Sequence, residues 1–257
     1  LPGLISLSQE AGSYSIITSR PAMKLYSVGQ IEYVADWPEK RNPLAKEDRW
    51  NSTRRVEELV TSAKREILMQ TPYLIQDRKG MKDFNSLLKG NPDLMIALST
   101  NSLASTDMFF VYAMCFKQRQ FNLETVGAKM FELKPVPGDV LSIVPRYDKI
   151  KKVYDDEVDL NENPELIVEF DYDGPRMCLH SKYIIVDGEV SFVGSHNFDP
   201  RAKNLNTENG IIVRDEAFAQ KLGAIFARDT AAQNSWRVAR RQKPPGIGKV
   251  SEVMAAI

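Results

Sequence analysis

Apolar and polar positions along the chain follow two periods, one typical of helices and one typical of strands. Apolar positions at helical spacing predict helices at 54–63, 81–88, 107–126 and 216–232. Short apolar runs between turn residues predict strands at Gln30–Ala35, Glu66–Met69, Leu94–Ser99, Lys129–Leu133, Leu166–Phe170, Lys182–Val186, Val190–Val193 and Gly210–Val213. This alternation of strands and helices along the chain predicts an α/β fold, in which a mixed central β-sheet carries helices on both faces.

The same pattern suggests how the chain is divided. Residues 1–50 are predicted to be an irregular N-terminal or linker segment, apart from the strand at 30–35. One domain is predicted at 51–235, and residues 236–257 are predicted to form a C-terminal tail. Within the domain, residues 148–164 are highly charged and predict a solvated, mobile insertion, with a binding loop as the alternative.

Composition narrows the possible functions. The 257 residues include 34 basic and 34 acidic side chains, a balance that argues against a protein that coats nucleic acid but is compatible with a local basic cleft. The sequence contains no run of about 18 apolar residues, the length that a helix needs to span a bilayer. Two cysteines, Cys115 and Cys178, have neither metal-binding nor disulfide-framework spacing and are expected to be buried free thiols.

One spaced motif carries the candidate chemistry. It consists of six fixed positions, which are His180, Lys182, Asp187, Gly194, Ser195 and Asn197. On the predicted strand His180 and Lys182 are two residues apart, so their side chains leave the same face. Histidine serves as a nucleophile or acid near neutral pH, and lysine is a positive donor suited to a phosphate oxygen.

The rest of the motif is predicted to return to the same point. Asp187 and Gly188 form a typical hairpin-turn pair, so Val190–Val193 is expected to run antiparallel beside the first strand. That return brings Ser195 and Asn197, two candidate donors to an anionic oxygen, near His180, while Gly194 permits a close backbone approach. The alternative is that His180 is an ordinary core histidine. A lysine on the same face of an apolar strand weighs against it, because burying that charge without an anion is costly.

This segment resembles the phospholipase D superfamily, whose repeated motif is called HKD. The resemblance covers roughly residues 31–235, and it includes the segments Thr71–Tyr73, Thr100–Asp107 followed by a long helix, and Asn197–Glu208. The first segment resembles the family's Ser/Thr-Pro-Tyr strand end, and the other two are similar to the second half of bacterial cardiolipin synthase-like enzymes. The resemblance implies a phospholipase D-like sandwich of helices, sheet and helices that contains one HKD half.

The resemblance also implies roles for the site residues. His180 would be phosphorylated in turnover or would protonate the leaving oxygen, while Lys182 and Asn197 would hold the phosphate and Ser195 would support the site. Glu208 would hydrogen-bond the ring of His180, and Asp187 and Gly194 would be structural. Tyr73 is expected near the substrate. No metal and no cofactor are implied, because the motif offers no cluster of ligands at metal-binding spacing.

The number of histidines implies a partner. The family's reaction needs two motif histidines, one to attack phosphorus and one to protonate the departing alcohol. The chain contains only His180 and His196, and His196 is expected to point away from its two motif neighbours. The second motif would therefore come from an N-terminal half of the same protein or from a homodimer mate. The chain begins with Leu1 rather than Met, which favours the first arrangement.

The resemblance implies a phospholipid substrate, which the enzyme would hydrolyse or transfer to another alcohol through a phosphohistidine. It also implies a bacterial envelope protein that lies peripherally on a membrane, where the segment Trp236–Arg241 could meet anionic lipid. A solvated helix end is the alternative for that segment. Two rival functions remain, a nuclease of the same superfamily and a module that binds phosphate without catalysis. The neutral net charge disfavours the nuclease, so no nucleic-acid partner is expected.

Overall fold

An eight-stranded mixed β-sheet forms the centre of the fold. The computed structural model describes residues 27–38, 40, 51–157 and 175–240. The strands are β1 (Gln30–Ala35), β2 (Glu66–Gln70), β3 (Met95–Asn101), β4 (Lys129–Leu133), β5 (Tyr183–Val186), β6 (Val190–Gly194), β7 (Asn209–Arg214) and β8 (Ser235–Arg237). Their order across the sheet is β1-β7-β6-β5-β2-β3-β4-β8. Strands β2, β3 and β4 are parallel to one another, and the pairings on either side of them are antiparallel.

Helices cover both faces of this sheet. Those in the described residues are α1 (Asn51–Thr61), α2 (Arg78–Gly90), α3 (Phe109–Gln120), α4 (Val140–Ile143), α5 (Tyr147–Glu157), α6 (Pro200–Asn204) and α7 (Glu216–Asp229). A π-helical turn, Phe121–Thr125, continues α3. Side chains of α1, α2 and the π-helical turn pack in one apolar cluster, while α7 packs in a second cluster with other strand residues. The predicted α/β sandwich is therefore confirmed.

The side chains of the central strands explain this layering. Ile67 of β2 and Ile184 of β5 belong to the cluster of α1 and α2. Leu68 and Ile185, their neighbours in sequence, belong to the cluster of α7. Because successive strand residues point to opposite faces, β5 is apolar throughout and its residues Tyr183–Val186 are all buried.

The sheet extends beyond the predicted domain of residues 51–235 at both ends. Strand β1 pairs with β7, and β8 pairs with β4 through Phe131 and Arg237. The segment at Trp236–Arg241 is therefore not a helix end: Trp236 and Arg237 lie in an edge strand. Residues 241–257 lie outside the described part of the chain.

Two other expectations changed. The predicted helix 107–126 begins at Phe109 and turns π-helical at Phe121. In the charged segment 148–164, residues up to Glu157 form α5 rather than an irregular insertion. The remainder of that segment, and the strand predicted at Leu166–Phe170, lie outside the described residues.

Topology brings several chain segments together at one end of the strands, which we call the site edge. Strands β2 and β3 end there, because they are parallel neighbours. Strand β5 begins there, since Tyr183 pairs with Gln70 at the end of β2. The end of β6 and the start of β7 meet at the same edge through the pairing of Gly194 with Gly210. His180, Lys182, Ser195, Asn197 and Glu208 lie on or next to these segments.

Candidate active site

His180 and Lys182 converge at this edge. Nζ of Lys182 lies 3.1 Å from Nδ1 of His180 and donates to the carbonyl oxygen of His180 at 2.6 Å. The ring of His180 is exposed, whereas only 8% of Lys182 is exposed. Strand β5 begins at Tyr183, so the two residues lie in the extended segment just before the strand. Their side chains nevertheless meet, as the sequence predicts.

The segment that carries His180 is held from two sides. The hydroxyl of Ser181 donates to Oε1 of Gln70 at 2.6 Å, so Ser181 points towards the buried end of β2 while the side chains of its two neighbours meet each other. Asn101, at the end of β3, binds the backbone of Leu179 with both amide atoms, at 2.8 Å to N–H and 3.0 Å to the carbonyl oxygen. Sequence reasoning assigned Asn101 no role. The available signal was a polar residue at the end of an apolar strand, inside the resembling segment Thr100–Asp107.

Ser195 and Glu208 form a pair beside the lysine. The hydroxyl of Ser195 donates to Oε2 of Glu208 at 2.5 Å and accepts from the N–H of Asn209 at 3.0 Å. The expected hydrogen bond from Glu208 to the ring of His180 does not occur between these two described residues. The expectation that the Ser195 hydroxyl donates to an anion also fails in this arrangement, because Glu208 already accepts its proton. Glu208 is 4% exposed, and its charge reaches Lys182 instead.

Asn197 lies in the loop after β6, at the same edge. The carbonyl oxygen of Asn197 accepts from the hydroxyl of Thr71 at 2.6 Å, which ties the loop after β6 to the end of β2. The side-chain Oδ1 of Asn197 is buried without a hydrogen-bond partner among the described residues. Gly194 lies immediately before this loop, and a Cβ there would come within 2.3 Å of the carbonyl oxygen of Asn209. The predicted close backbone approach at Gly194 is therefore present.

Tyr73, the expected substrate contact, is engaged in a side-chain pair at the rim. Its hydroxyl lies 2.9 Å and 2.8 Å from the two carboxylate oxygens of Asp107. Burial raises the pKa of Tyr73, and Asp107 raises it further. Cys178 is exposed rather than buried, so the expectation for that thiol is wrong, whereas Cys115 is half-buried and both thiols are free. The sulfur atom of Cys178 is nevertheless partly buried, and this burial together with the charge of Asp107 raises the pKa of Cys178.

Charge at the site is governed by Lys182. Burial lowers the pKa of Lys182 below its ordinary value, and the negative charges of Glu208, Asp107 and Asp199 oppose that shift. These carboxylates surround the lysine without any of them forming an ion pair with it among the described residues. The Lys182 ammonium is therefore free to bind an incoming anion.

His196 faces away from the site, as expected. It is 4% exposed, its Nε2 lies 3.5 Å from the hydroxyl oxygen of Thr53, and its Nδ1 accepts from the N–H of Phe198 at 3.0 Å. Burial lowers the pKa of His196 to about 3, with contributions from Lys40 and Lys203. A ring that is neutral and enclosed in this way is suited to packing.

Asp187 lies at the far end of the hairpin, remote from His180. Asp187 and Gly188 both have positive φ angles, 55° and 68°, as the predicted turn requires. The carboxylate of Asp187 accepts the backbone N–H groups of Lys64, Arg65 and Glu66 at 3.0, 2.7 and 3.0 Å. Burial opposes the effect, yet these three N–H groups hold the pKa of Asp187 below its ordinary value. Its contacts are those of a structural residue.

Neither a metal-binding cluster nor a membrane-spanning helix occurs in the part of the chain that the structure describes. Among its residues, no group of three or more His, Cys, Asp or Glu side chains is arranged to hold a metal ion. No helix among the same residues has the length and apolar character needed to cross a bilayer.

Comparison with known protein families gives one match, which covers most of the chain. Residues 56–230 match the family described as "Cardiolipin synthase, PLD-like domain". Cardiolipin synthase C of Escherichia coli K12 is 27% identical over 172 residues, which cover 67% of this chain and 31% of that protein. The chain thus spans less than a third of the length of the curated relatives it matches.

Solved structures share the fold at low identity. Phosphatidylserine synthase of Haemophilus influenzae Rd KW20 superposes with a TM-score of 0.54 and 16% identity, over 92% of this chain and 48% of that one. NucT of Helicobacter pylori gives a TM-score of 0.50 and 11% identity, over 80% and 97% of the two chains. At these identities the similarity concerns the fold.

Proposed function

Because the chain belongs to the family of cardiolipin synthase, PLD-like domains, we propose that it carries one half of an active site for phospholipid phosphodiester bonds. The observation that carries the proposal is the convergence of the His180 ring with the Lys182 ammonium at an open sheet edge. Glu208, Ser195 and Asn197 lie on the neighbouring strand ends. This is an enzyme of the phosphodiesterase or phosphatidyltransferase type.

Lys182 and Asn197 are the proposed phosphate ligands. The ammonium of Lys182 is desolvated, which strengthens its attraction for a negatively charged oxygen. The side-chain amide of Asn197 would supply its N–H₂ group, the kind of donor that a phosphate oxygen accepts. Glu208, bonded to Ser195, provides a negative charge that keeps the lysine protonated. Tyr73 would line the rim through its pair with Asp107.

Binding of the phosphate also prepares the histidine. An ammonium group only donates, so Nδ1 of His180 accepts from Lys182 and the neutral ring carries its proton on Nε2. When a phosphate oxygen takes the Lys182 ammonium, Nδ1 is released and can carry the ring proton. Nε2 then has a lone pair that faces the cleft. Glu208 acts at this stage through Ser195 and Lys182 rather than through the ring of His180.

The proposed reaction has two steps. The Nε2 lone pair of one motif histidine forms an N–P bond while the P–O bond to the leaving alcohol breaks, and the second motif histidine gives that alcohol its proton. Water or another alcohol then attacks phosphorus and gives its proton to the second histidine, and the N–P bond breaks. His180 takes one of these two roles, and its motif partner takes the other.

A second HKD half is the proposed partner of this site. It belongs either to the remainder of a longer protein or to a homodimer mate. Large apolar side chains stand exposed beside the half-site, at the start of α3 and just before it: Leu103, Met108, Phe109 and Phe110. We call these four residues the apolar rim. An exposed apolar cluster of this kind is typical of a surface that contacts another protein.

The proposed substrate is a phospholipid at the surface of a bacterial envelope membrane. The supporting observation is that the matching family is named for cardiolipin synthase. The proposed half-domain consists of residues 51–235, extended by β1 and β8 of the same sheet. Hydrolysis and headgroup exchange differ only in whether water or an alcohol attacks in the second step.

Product analysis on the native assembly tests this function. The assembly is mixed with labelled phosphatidylglycerol, both products are identified, and the phosphorylated residue is located by mass spectrometry after acid-free quenching. We expect a phosphatidyl product and a phosphohistidine at one of the two motif histidines. Turnover of DNA without turnover of the lipid would support the nuclease instead, and binding of the lipid without turnover would support a binding module. The mass of the assembly separates a two-half protein from a homodimer.

A further inference from the structure

A buried ion pair lies behind Glu208. Nζ of Lys40 is 2.6 Å from Oδ2 of Asp36, and both side chains have 0% exposure. A buried ion pair contributes little net stability, because both charges lose their hydration. Such pairs can instead fix a specific arrangement of the chain. The groups that bond to this pair therefore show which chain segments it holds together.

Asp36 binds both backbone polar groups of Glu208. Asp36 follows β1, and its N–H donates to the carbonyl oxygen of Glu208 at 2.8 Å. Its Oδ2 accepts the N–H of Glu208 at 3.1 Å. With both groups bound, the backbone of Glu208 is fixed just before β7. From that position the Glu208 carboxylate reaches Ser195.

The remaining bonds attach the pair to two helices. Oδ1 of Asp36 accepts the N–H of Ser52 at 2.9 Å, at the start of α1, where a negative charge is favourable. Nζ of Lys40 donates to the carbonyl oxygens of Ala202 at 2.7 Å and Lys203 at 3.3 Å, near the end of α6. Helix α6 directly follows the loop that carries Asn197. The pair therefore links the backbone of Glu208 to the loop of the proposed phosphate ligand.

From this geometry we infer that Asp36, neutralised by Lys40, is a positioning residue for Glu208. It sets the place of the Glu208 carboxylate and, with it, the hydrogen bond that Ser195 donates to Glu208. Asp36 contacts neither His180 nor Lys182 among the described residues, so it acts only through other groups. The inference rests on the proposed function, because it concerns the phosphodiester reaction of the same site.

A neutral double variant separates positioning from stability. Asp36→Asn keeps the size of the side chain but replaces one acceptor oxygen with a donor, so one of its two N–H partners loses its bond. Lys40→Met in the same chain removes the cation that would otherwise be left unpaired. The double variant is expected to stay folded but to unfold at a somewhat lower temperature than the wild type, because no charge is left unpaired while one buried N–H group and the carbonyl oxygen of Ala202 lose their partners. Turnover of labelled phosphatidylglycerol by the native assembly is expected to fall by about tenfold to 100-fold with KM little changed.

Asp215 provides the matched control. It lies at the other end of the same strand pair, where Oδ2 accepts the N–H of Gly29 at 2.9 Å and Oδ1 accepts the N–H of Phe218 at 2.8 Å. Like Asp36, it joins β1 to β7 and caps a helix, but it lies far from the site edge. Asp215→Asn is expected to leave turnover unchanged.

A double-mutant cycle, in which the Asp36→Asn/Lys40→Met variant is combined with Glu208→Gln, tests whether Asp36 acts through the Glu208 carboxylate. If Asp36 works through the Glu208 carboxylate, the double variant lowers kcat in the wild-type background and causes no further loss beside Glu208→Gln. Equal loss in both backgrounds, or wild-type turnover by the double variant, would overturn the inference while leaving the proposed function intact. Absence of lipid turnover in the unsubstituted assembly would reject the proposed function, and the inference with it.

Discussion

Nζ of Lys182 lies 3.1 Å from Nδ1 of His180, although Lys182 is almost enclosed and His180 is exposed. The two side chains meet because Ser181, between them, points the other way to Gln70. A cation that is held against one side of an exposed imidazole defines a site at which an anion can bind to both. The following predictions start from this relationship.

Lys182 should control activity at alkaline pH. Burial lowers the pKa of Lys182, and only the protonated form binds phosphate, so turnover should fall as pH rises, at a lower pH than for a free lysine. In Lys182→Arg the guanidinium stays protonated. The variant should be less active overall, but its activity should not fall as the pH rises through the alkaline range. The test is kcat/KM as a function of pH. The same alkaline loss in both proteins would assign it to another group.

Ser195 and Glu208 should act as a unit, because the Ser195 hydroxyl donates to the Glu208 carboxylate. Ser195→Ala and Glu208→Gln should each lower kcat at least about tenfold, and the double variant should lose little more than the worse single variant. Ser191→Ala is the control, since Ser191 lies in β6, the strand that Ser195 follows, and its hydroxyl is buried without a hydrogen-bond partner among the described residues. Strictly multiplicative losses would contradict a shared role.

The fold followed from the sequence where local pattern decides structure. The hairpin of β5 and β6 has an apolar run on each side of Asp187 and Gly188, so both strands and the turn were predictable. Strand β8 was not, because three residues carry no periodic pattern and it forms through pairing with β4. Helix α6 was missed for a similar reason, since its five residues depend on the cap at Asp199.

The sequence identified most residues of the candidate site but few of the contacts between them. The spacing of His180 and Lys182 correctly predicted that they meet. The partner of Glu208 was not predictable, because the place of its carboxylate depends on Asp36, 172 residues away. The role of Asn101 likewise depends on a contact across 78 residues. Hydrogen bonds between such distant segments leave no periodic trace in a sequence.

His196 should make the fold sensitive to acid. Burial lowers the pKa of His196 to about 3, whereas an unfolded histidine titrates near 6.5. Between these values the unfolded chain binds a proton that the folded chain does not, so stability falls as pH falls, by about 2 kcal/mol at pH 5. Urea unfolding at pH 7 and pH 5 measures this fall. His196→Gln should show a smaller fall, and an equal one would place the acid sensitivity elsewhere.

The apolar rim should contact the second half. Phe109 and Phe110 are 63% and 79% exposed, so Phe109→Ser/Phe110→Ser should leave the chain folded while weakening association with that half at least about tenfold. Tyr33→Ser is the control, because Tyr33 is 70% exposed on the edge strand β1. Sedimentation velocity measures the association. Unchanged assembly with reduced binding to phosphatidylglycerol vesicles would show that the rim contacts the membrane instead.

The role of His180 as one of two reacting histidines is tested most directly by kcat of the native assembly for labelled phosphatidylglycerol, measured with and without His180→Gln. The exposed ring contributes little to packing, so the unfolding temperature should be unchanged. The account predicts a loss in kcat of about 1,000-fold or more, because the variant can neither form an N–P bond nor deliver a proton. Turnover within about twofold of the unsubstituted assembly, a difference of only about 0.4 kcal/mol in activation free energy, would contradict it.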